Sequence, residues 1–236
     1  MEASLQNRDQ NDQPPQIYRN NGTDAQVLER LKLRELAEGW VCYRDACEWE
    51  NFRSIFAEAA YVYTTWSGKF HVDDFIEASK MGVDQGVFIM HRAHGVTSNL
   101  HLDAGRAVTK MKATITQRFE LDGCEVDAEA DCRFIFFFEK QPSTGDWLAK
   151  YVRHWYEKDK LIPVDPRHVP MLDDEILKSY PRGYRYLAHC QQRAMGITIS
   201  KDLPGHARDG GTINGSKHDL LYEQAVQWLA GEDIAF

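Results

Sequence analysis

The run "FIMHRAHGVTSNLHL", residues 88–102, sets His91, His94 and His101 among mostly apolar side chains. Imidazole changes charge near neutral pH and is also a common metal ligand, so the run suggests either proton transfer or metal binding. Spacing bears on the choice. On a strand, His91 and His94 point to opposite faces, and His101, of the same parity as His91, lies far along the strand. Three such ligands do not converge on one ion, so no metal is expected. Each histidine also has a plain structural reading, as a hydrogen-bonded core or surface side chain. In "KYVRHWYEKD", Arg153 and His154 are adjacent, so one of them must point inward. "EKDK" at 157–160 reads as a solvated strand end. "DGGTING" lacks the strand-to-helix setting of a phosphate loop and reads as a flexible loop.

These residues need elements to position them. Residues 1–24 are polar, rich in Asn and Gln, and too poor in apolar side chains to fold, so a disordered tail is expected. Thr23 or Asp24 can cap a helix whose apolar positions Val27, Leu28, Leu31, Leu36, Trp40 and Val41 follow a period near 3.6. That helix breaks between Asp45 and Glu50, and a second ends near Phe56. "AYVYTTWSG" reads as a strand and turn on which Tyr61 and Tyr63 share a face. "VDDFIEASKMGVDQG" reads as a short helix. Strands are then predicted over 87–102, 106–120 and 125–140, the last two joined by a hairpin at Asp122-Gly123, and a further strand runs through "WLAKYVRHWYEKDKL". On the strand after Cys124, Ala128, Ala130, Cys132, Phe134, Phe136 and Phe138 form an apolar face; Asp127, Glu129, Asp131 and Arg133 form a charged one. The first face either fills a core or encloses an aromatic ligand. Beyond the connector "PVDPRHVP", residues 166–236 read as a helical extension laid on the main domain, because Ile176, Tyr180, Leu187, Leu221 and Trp228 need a surface to cover them.

The whole chain bounds the class. Its 236 residues suffice for one sizeable α+β core with an appended lobe. A net charge of −8 with interspersed basic residues gives no stripe for nucleic acid. No apolar run reaches the roughly 20 residues that span a bilayer, so no membrane partner is expected. The polar N-terminus is not expected to be a secretion signal, and five cysteines without metal-type pairing read as reduced, mostly buried thiols. The expected location is cytoplasmic.

The order of "YRDACEWENFRSIFAEAAYVYTTWSG", "FIMHRAHG", "RAVTKMKATITQRFELDG", "DCRFIFFFEK" and "DWLAKYVRHWYEKDKLIPVDP" resembles the SnoaL-like branch of the NTF2-like superfamily, and within it the scytalone dehydratase-like group. The ending and the helical tail look like fungal members of that group. The resemblance spans the main domain, residues 25–165, and implies an NTF2-like cone: a strongly curved antiparallel sheet on N-terminal helices, with a pocket. It implies cofactor-independent chemistry of secondary metabolism: a lyase of dehydratase type, or an isomerase, acting on an aromatic or polyketide-like molecule. Carried over residue by residue, it puts Asp45 on the family aspartate, His91 on the family histidine and Arg44 on a family tyrosine. Tyr61 or Tyr63 falls near the tyrosine that polarises the substrate carbonyl. The family's second histidine falls at Ile115, Thr116 and Gln117, and its serine and asparagine fall at Cys132 and Phe134. These departures make scytalone itself an improbable substrate. Thr116, Cys132, Phe134, Trp66, Arg44 and Arg153 are the implied substrate contacts. Arg153 with Asp131 and Arg133 could also form the Asp-Arg-Asp set of the superfamily's epoxide hydrolases; the plainer reading is a surface ion-pair ladder. The competing function is a non-catalytic small-molecule-binding or oligomeric scaffold. The superfamily habit, with the charged sheet face, suggests a homo-dimer formed through the sheet.

Overall fold

The computed structural model describes residues 22–205 and 215–234. The tail expected over residues 1–24 therefore lies almost wholly outside the described residues, as does most of the glycine-rich loop. The first helix, α1 (Asp24–Asp45), starts at a capping box: Gln26 donates its backbone N–H to the Thr23 hydroxyl, and Thr23 N–H donates to the Gln26 side chain at 2.8 Å. Leu33, Ala37, Trp40 and Arg44 form its buried stripe, each three or four residues from the next. The helix ends where Cys47 turns left-handed (φ 58°) and its N–H donates to the Arg44 carbonyl. A short helix, α2 (Trp49–Ser54), follows, then β1 (Phe56–Thr64), a short β2 (Gly68–His71) that the sequence reading missed, and α3 (Val72–Asp84).

The sheet is completed by β3 (Ile89–His101), β4 (Arg106–Leu121), β5 (Cys124–Lys140) and β6 (Trp147–Pro163). Its order is β2-β1-β6-β5-β4-β3, antiparallel throughout except for the parallel β1–β6 pair. At the β4–β5 turn, Asp122 and Gly123 both take positive φ (52° and 75°), as the two-residue hairpin requires. Bulges bend the sheet: His94 is the extra residue on β3, Lys150 and Glu157 are the extra residues on β6, and the β1–β6 register shifts between Phe56 and Tyr61.

Each face of the sheet has its own core. The inner one joins Trp40, Phe52 and Phe75 of the helices to Ala130, Cys132, Phe134, Phe136 and Phe138 of β5. On the outer face Val108, Ile135, Phe137 and Trp155 lie under α6 (Gly215–Leu229), chiefly Leu221, Ala225, Trp228 and Leu229. Beside it on that face runs a ladder of ion pairs: Arg118–Asp127, Arg92–Glu129–Lys160, Asp131–Lys158 and Arg133–Glu157. The C-terminal extension also contributes α4 (Asp174–Lys178), on which Leu177 and not Ile176 is buried, and α5 (Arg185–Met195), which packs against β4, β5 and β6. Gly183 and Gly205 allow this extension to dock. A Cβ at either would stand 2.9 or 2.8 Å from the Tyr156 carbonyl oxygen.

Candidate active site

The break after α1 and the first turns of β3 meet on the inner face. Asp45, the last residue of α1, accepts the backbone N–H of His91 at Oδ2 (2.5 Å), and its Oδ1 lies 2.6 Å from the His91 ring Nδ1. A carboxylate at Nδ1 keeps the proton there and leaves Nε2 as the basic nitrogen. His91 is buried. Burial lowers its pKa, Arg44 lowers it further, and the Asp45 hydrogen bond offsets only part, so the ring is neutral at neutral pH.

A second imidazole shares the cavity. His154 of β6 donates Nδ1–H to the Tyr63 carbonyl (2.9 Å), while its Nε2 is buried without a hydrogen-bond partner. Burial pushes its pKa down to about 3. Phe134 separates the two rings, 5.7 Å from His91 and 4.0 Å from His154 between centroids. Of the adjacent pair Arg153 and His154, the histidine is the inward one.

The cavity holds about 20 Å³, room for about one water. Arg44, Trp66, Phe75 and Ile115 line it beside the histidines, and α5 supplies the last wall through Leu187 and Gln191. Gln191 is 2% exposed and clasped from two sides. Thr65 Oγ1 donates to its Oε1 at 2.8 Å, and its Nε2 donates to Gln117 Oε1 at 3.0 Å. Gln191 was not singled out from the sequence and Leu187 only as an apolar side chain in need of cover, because the helical pattern of 185–195 does not say where the helix docks.

Of the residues expected at the site, Asp45, His91, Arg44, Trp66 and Phe134 come together, with Cys132 buried beneath them. Burial raises the Cys132 thiol pKa well above its ordinary value, and Sγ faces the Ala113 carbonyl at 3.5 Å, so it is not a nucleophile. Tyr61, Tyr63, Thr116 and Arg153 are elsewhere, and this corrects the expectation for all four. The β1–β6 register pairs Tyr61 with Tyr151 and Tyr63 with Arg153, and these face outward with Phe137 and Ile135. Tyr63 lies under the Arg153 guanidinium (4.3 Å to the ring centroid), and the Tyr61 ring stacks on Tyr151. Neither tyrosine can polarise a carbonyl in the cavity. Thr116 donates to Glu129 and accepts from Arg92 on the outer ladder. Arg153 forms no Asp-Arg-Asp set with Asp131 and Arg133, which pair with Lys158 and Glu157.

The bulge at His94 corrects the parity expected of His101. The shift puts Leu100 in the inner core and turns His101 outward, its Nδ1 2.9 Å from the Leu229 carbonyl. His94 also points outward, to Thr114 (2.7 Å). Among the described residues, no group of three His, Cys, Asp or Glu could hold a metal ion, and no helix is long and apolar enough to cross a membrane.

A cavity in a bent sheet, with a carboxylate-held histidine on its third strand, is set within a chain whose residues 25–153 match the SnoaL-like domain. The chain belongs to the SnoaL-like family. It is 59% identical over 232 residues to pea pathogenicity protein 2 of Fusarium vanettenii, covering 98% of this chain and 99% of that one. It is 61% identical over 224 residues to an uncharacterised protein of Emericella nidulans, covering 94% of each. Among solved structures, the hexachlorocyclohexane dehydrochlorinase LinA-type3 of Novosphingobium barchaimii superposes with a TM-score of 0.50 at 10% identity, covering 64% of this chain and 99% of that one. That likeness carries the NTF2-like fold of the SnoaL-like domain and nothing of its chemistry.

Proposed function

We propose that the chain is a cofactor-independent lyase or isomerase that moves a proton on a small aromatic or polyketide-like molecule, with His91 as base and Asp45 as its positioning carboxylate. One observation carries this reading: both Asp45 oxygens are spent on His91, which fixes the tautomer and leaves Nε2 free to accept a proton in the cavity. The C–H bond next to a carbonyl breaks, its proton goes to Nε2, and its electron pair forms the enolate. In a dehydration the pair then closes the C=C bond as the C–O bond of a β-hydroxyl breaks. The departing hydroxide takes the proton from the imidazolium and leaves as water. In an isomerisation the proton returns to a different carbon. Asp45 compensates the charge on the ring while it is protonated. The test is incubation of the full chain with aromatic and polyketide-like β-hydroxy ketones in D2O, followed by NMR. Deuterium next to the carbonyl, or loss of water, is expected with the wild type and not with His91→Ala.

The small volume of the cavity favours one other reading, a non-catalytic small-molecule-binding or oligomeric scaffold. Under it, ligands from the same set bind without exchange of any C–H, and His91→Ala leaves the chemistry of the sample unchanged.

A further inference from the structure

Arg44 continues the apolar stripe Leu33, Ala37 and Trp40 of α1, so the helix carries its guanidinium inward, where it is 8% exposed. Few residues are as costly to bury as arginine, because all five N–H donors need acceptors. This one is poorly supplied. Its Nε has no hydrogen-bond partner, and Asp45 stands 3.9 Å from Nη1, an ion-pair distance but not a hydrogen bond. Both Asp45 oxygens are already engaged by His91. The remaining contact is with the Phe75 ring, 5.8 Å from Cζ to centroid.

The neighbours sharpen the imbalance. Burial draws the Arg44 pKa down to about 10, which still leaves it cationic at neutral pH. His91 and His154 are neutral beside it. The cavity therefore presents a cation, two neutral imidazoles and an amide, while its one carboxylate is committed to His91.

We infer that Arg44 is the anion-binding group of this cavity, and that the molecule taken there presents a carboxylate to its guanidinium. The inference rests on reading the cavity as a ligand site and adds the substrate class: a small carboxylic acid whose reacting carbon lies by His91. A planar carboxylate suits the planar guanidinium, can accept two of its donors at once and sits where fixed protein dipoles replace water. His154 Nε2, an acceptor without a donor, fits a hydroxyl on the same molecule. A ligand larger than a water must displace the Leu187 and Gln191 wall, so association is expected to be slow beside that of an open pocket.

The test uses the full chain with benzoate and its neutral isostere benzamide, titrated by calorimetry while the His91 and His154 ring signals are followed by NMR. Benzoate is expected to bind at least tenfold more tightly than benzamide and to move both ring signals. Arg44→Gln should abolish the preference, and Arg44→Lys should retain part of it. His91→Asn, whose side-chain amide can still donate to Asp45 in place of the ring N–H, should keep the preference while losing proton transfer, so failure of this inference is separable from failure of the acid–base reading. Equal binding of the two probes, no binding of benzoate, or a preference that survives Arg44→Gln would each overturn it. If Arg44→Gln does not fold, the wild-type comparison and Arg44→Lys decide.

Discussion

His91 and Asp45 are 46 positions apart in the chain, yet the carboxylate binds both the backbone and the ring of the histidine. If His91 is the base, His91→Ala should lower turnover by about 10²–10⁴-fold, the usual worth of a positioned acid–base group. Asp45→Asn should cost less, because an amide oxygen can still accept the ring N–H. The pH dependence has a definite sign. The folded pKa of His91 lies below the ordinary 6.5, so the acid limb of kcat/KM falls below pH 6.5. Asp45→Asn removes a contribution that raises that pKa, so the limb should move further toward acid; movement toward alkali would sink the assignment. Stability follows the same logic. As pH drops below about 6.5 the unfolded chain binds protons that buried His91 and His154 refuse, down to about 3 for His154, so their contribution to the unfolding free energy falls through that window, and urea titrations should read it as the part of the pH dependence that His154→Asn loses. The dyad was legible in the sequence only through a resemblance. Arg44 had a physical signal, since its place on the stripe of Leu33, Ala37 and Trp40 marks it for burial. The tyrosines had none: β1 is buried on both faces at Val62 and Tyr63, so alternation could not say which face held the cavity.

The helix α5 decides what can reach those residues. Tyr184, its N-cap, gives no side-chain cap; the first turn is capped instead by Asp159 of β6, whose Oδ2 accepts from the N–H of Tyr186 (2.6 Å) and Leu187 (3.0 Å). The other oxygen, Oδ1, is buried without a partner. Burial raises the carboxyl pKa to about 7, outweighing the two amides and Arg185. A proton on Oδ1 relieves that cost and leaves Oδ2 to cap the helix. The unfolded carboxyl loses its proton near 3.9, so this stabilisation is fully present below that pH and is lost as pH rises through about 7. Hydrogen exchange of the 186–191 amides, corrected for intrinsic rates, should therefore show α5 opening more often at pH 8 than at pH 6, and Asp159→Asn should flatten the difference. A wild-type helix equally protected at both pH values would argue against Asp159 as the latch. Gln191→Ala should open the wall at a stability cost of roughly 1–3 kcal/mol, since Thr65 and Gln117 lose their shared partner. "EKDK" reads as solvated because its two lysines are, while Glu157 is largely covered in its pair with Arg133. The bulge at Glu157 keeps Lys158 and Lys160 on the outer ladder and turns Asp159 inward, and a bulge leaves no mark in a binary pattern. The bulge at His94 misled the reading of His101 for the same reason. Strand lengths and the Asp122-Gly123 hairpin were legible because alternation and turn chemistry are local.

Across the whole molecule, α6 changes what the outer face of the sheet can do. A dimer formed through that face would need its apolar part, Val108, Ile135, Phe137 and Trp155, and α6 covers all four. The cover is anchored by Trp228, which is 1% exposed. Its Nε1–H is shared between the carbonyls of Ala107 (3.2 Å) and Phe138 (3.0 Å), and its ring lies 3.9 Å from the Arg106 guanidinium carbon. The ring also meets Phe137 and Tyr151 edge-on. Beyond the stacked Tyr61 and Tyr151, that face carries the ion-pair ladder, whose charges already satisfy one another and would have to shed water to join an interface. The helix thus occupies the apolar part of the face through which a sheet-to-sheet dimer would pack. Removing residues 206–236, or replacing Trp228 with Ala at a cost of about 3–5 kcal/mol, uncovers a contiguous apolar surface that water disfavours. The altered chain should self-associate through the sheet, seen in sedimentation as a concentration-dependent rise above the full-length species. An α6-deleted chain that sediments as a monomer and melts as before would show that the helix does not hold that face.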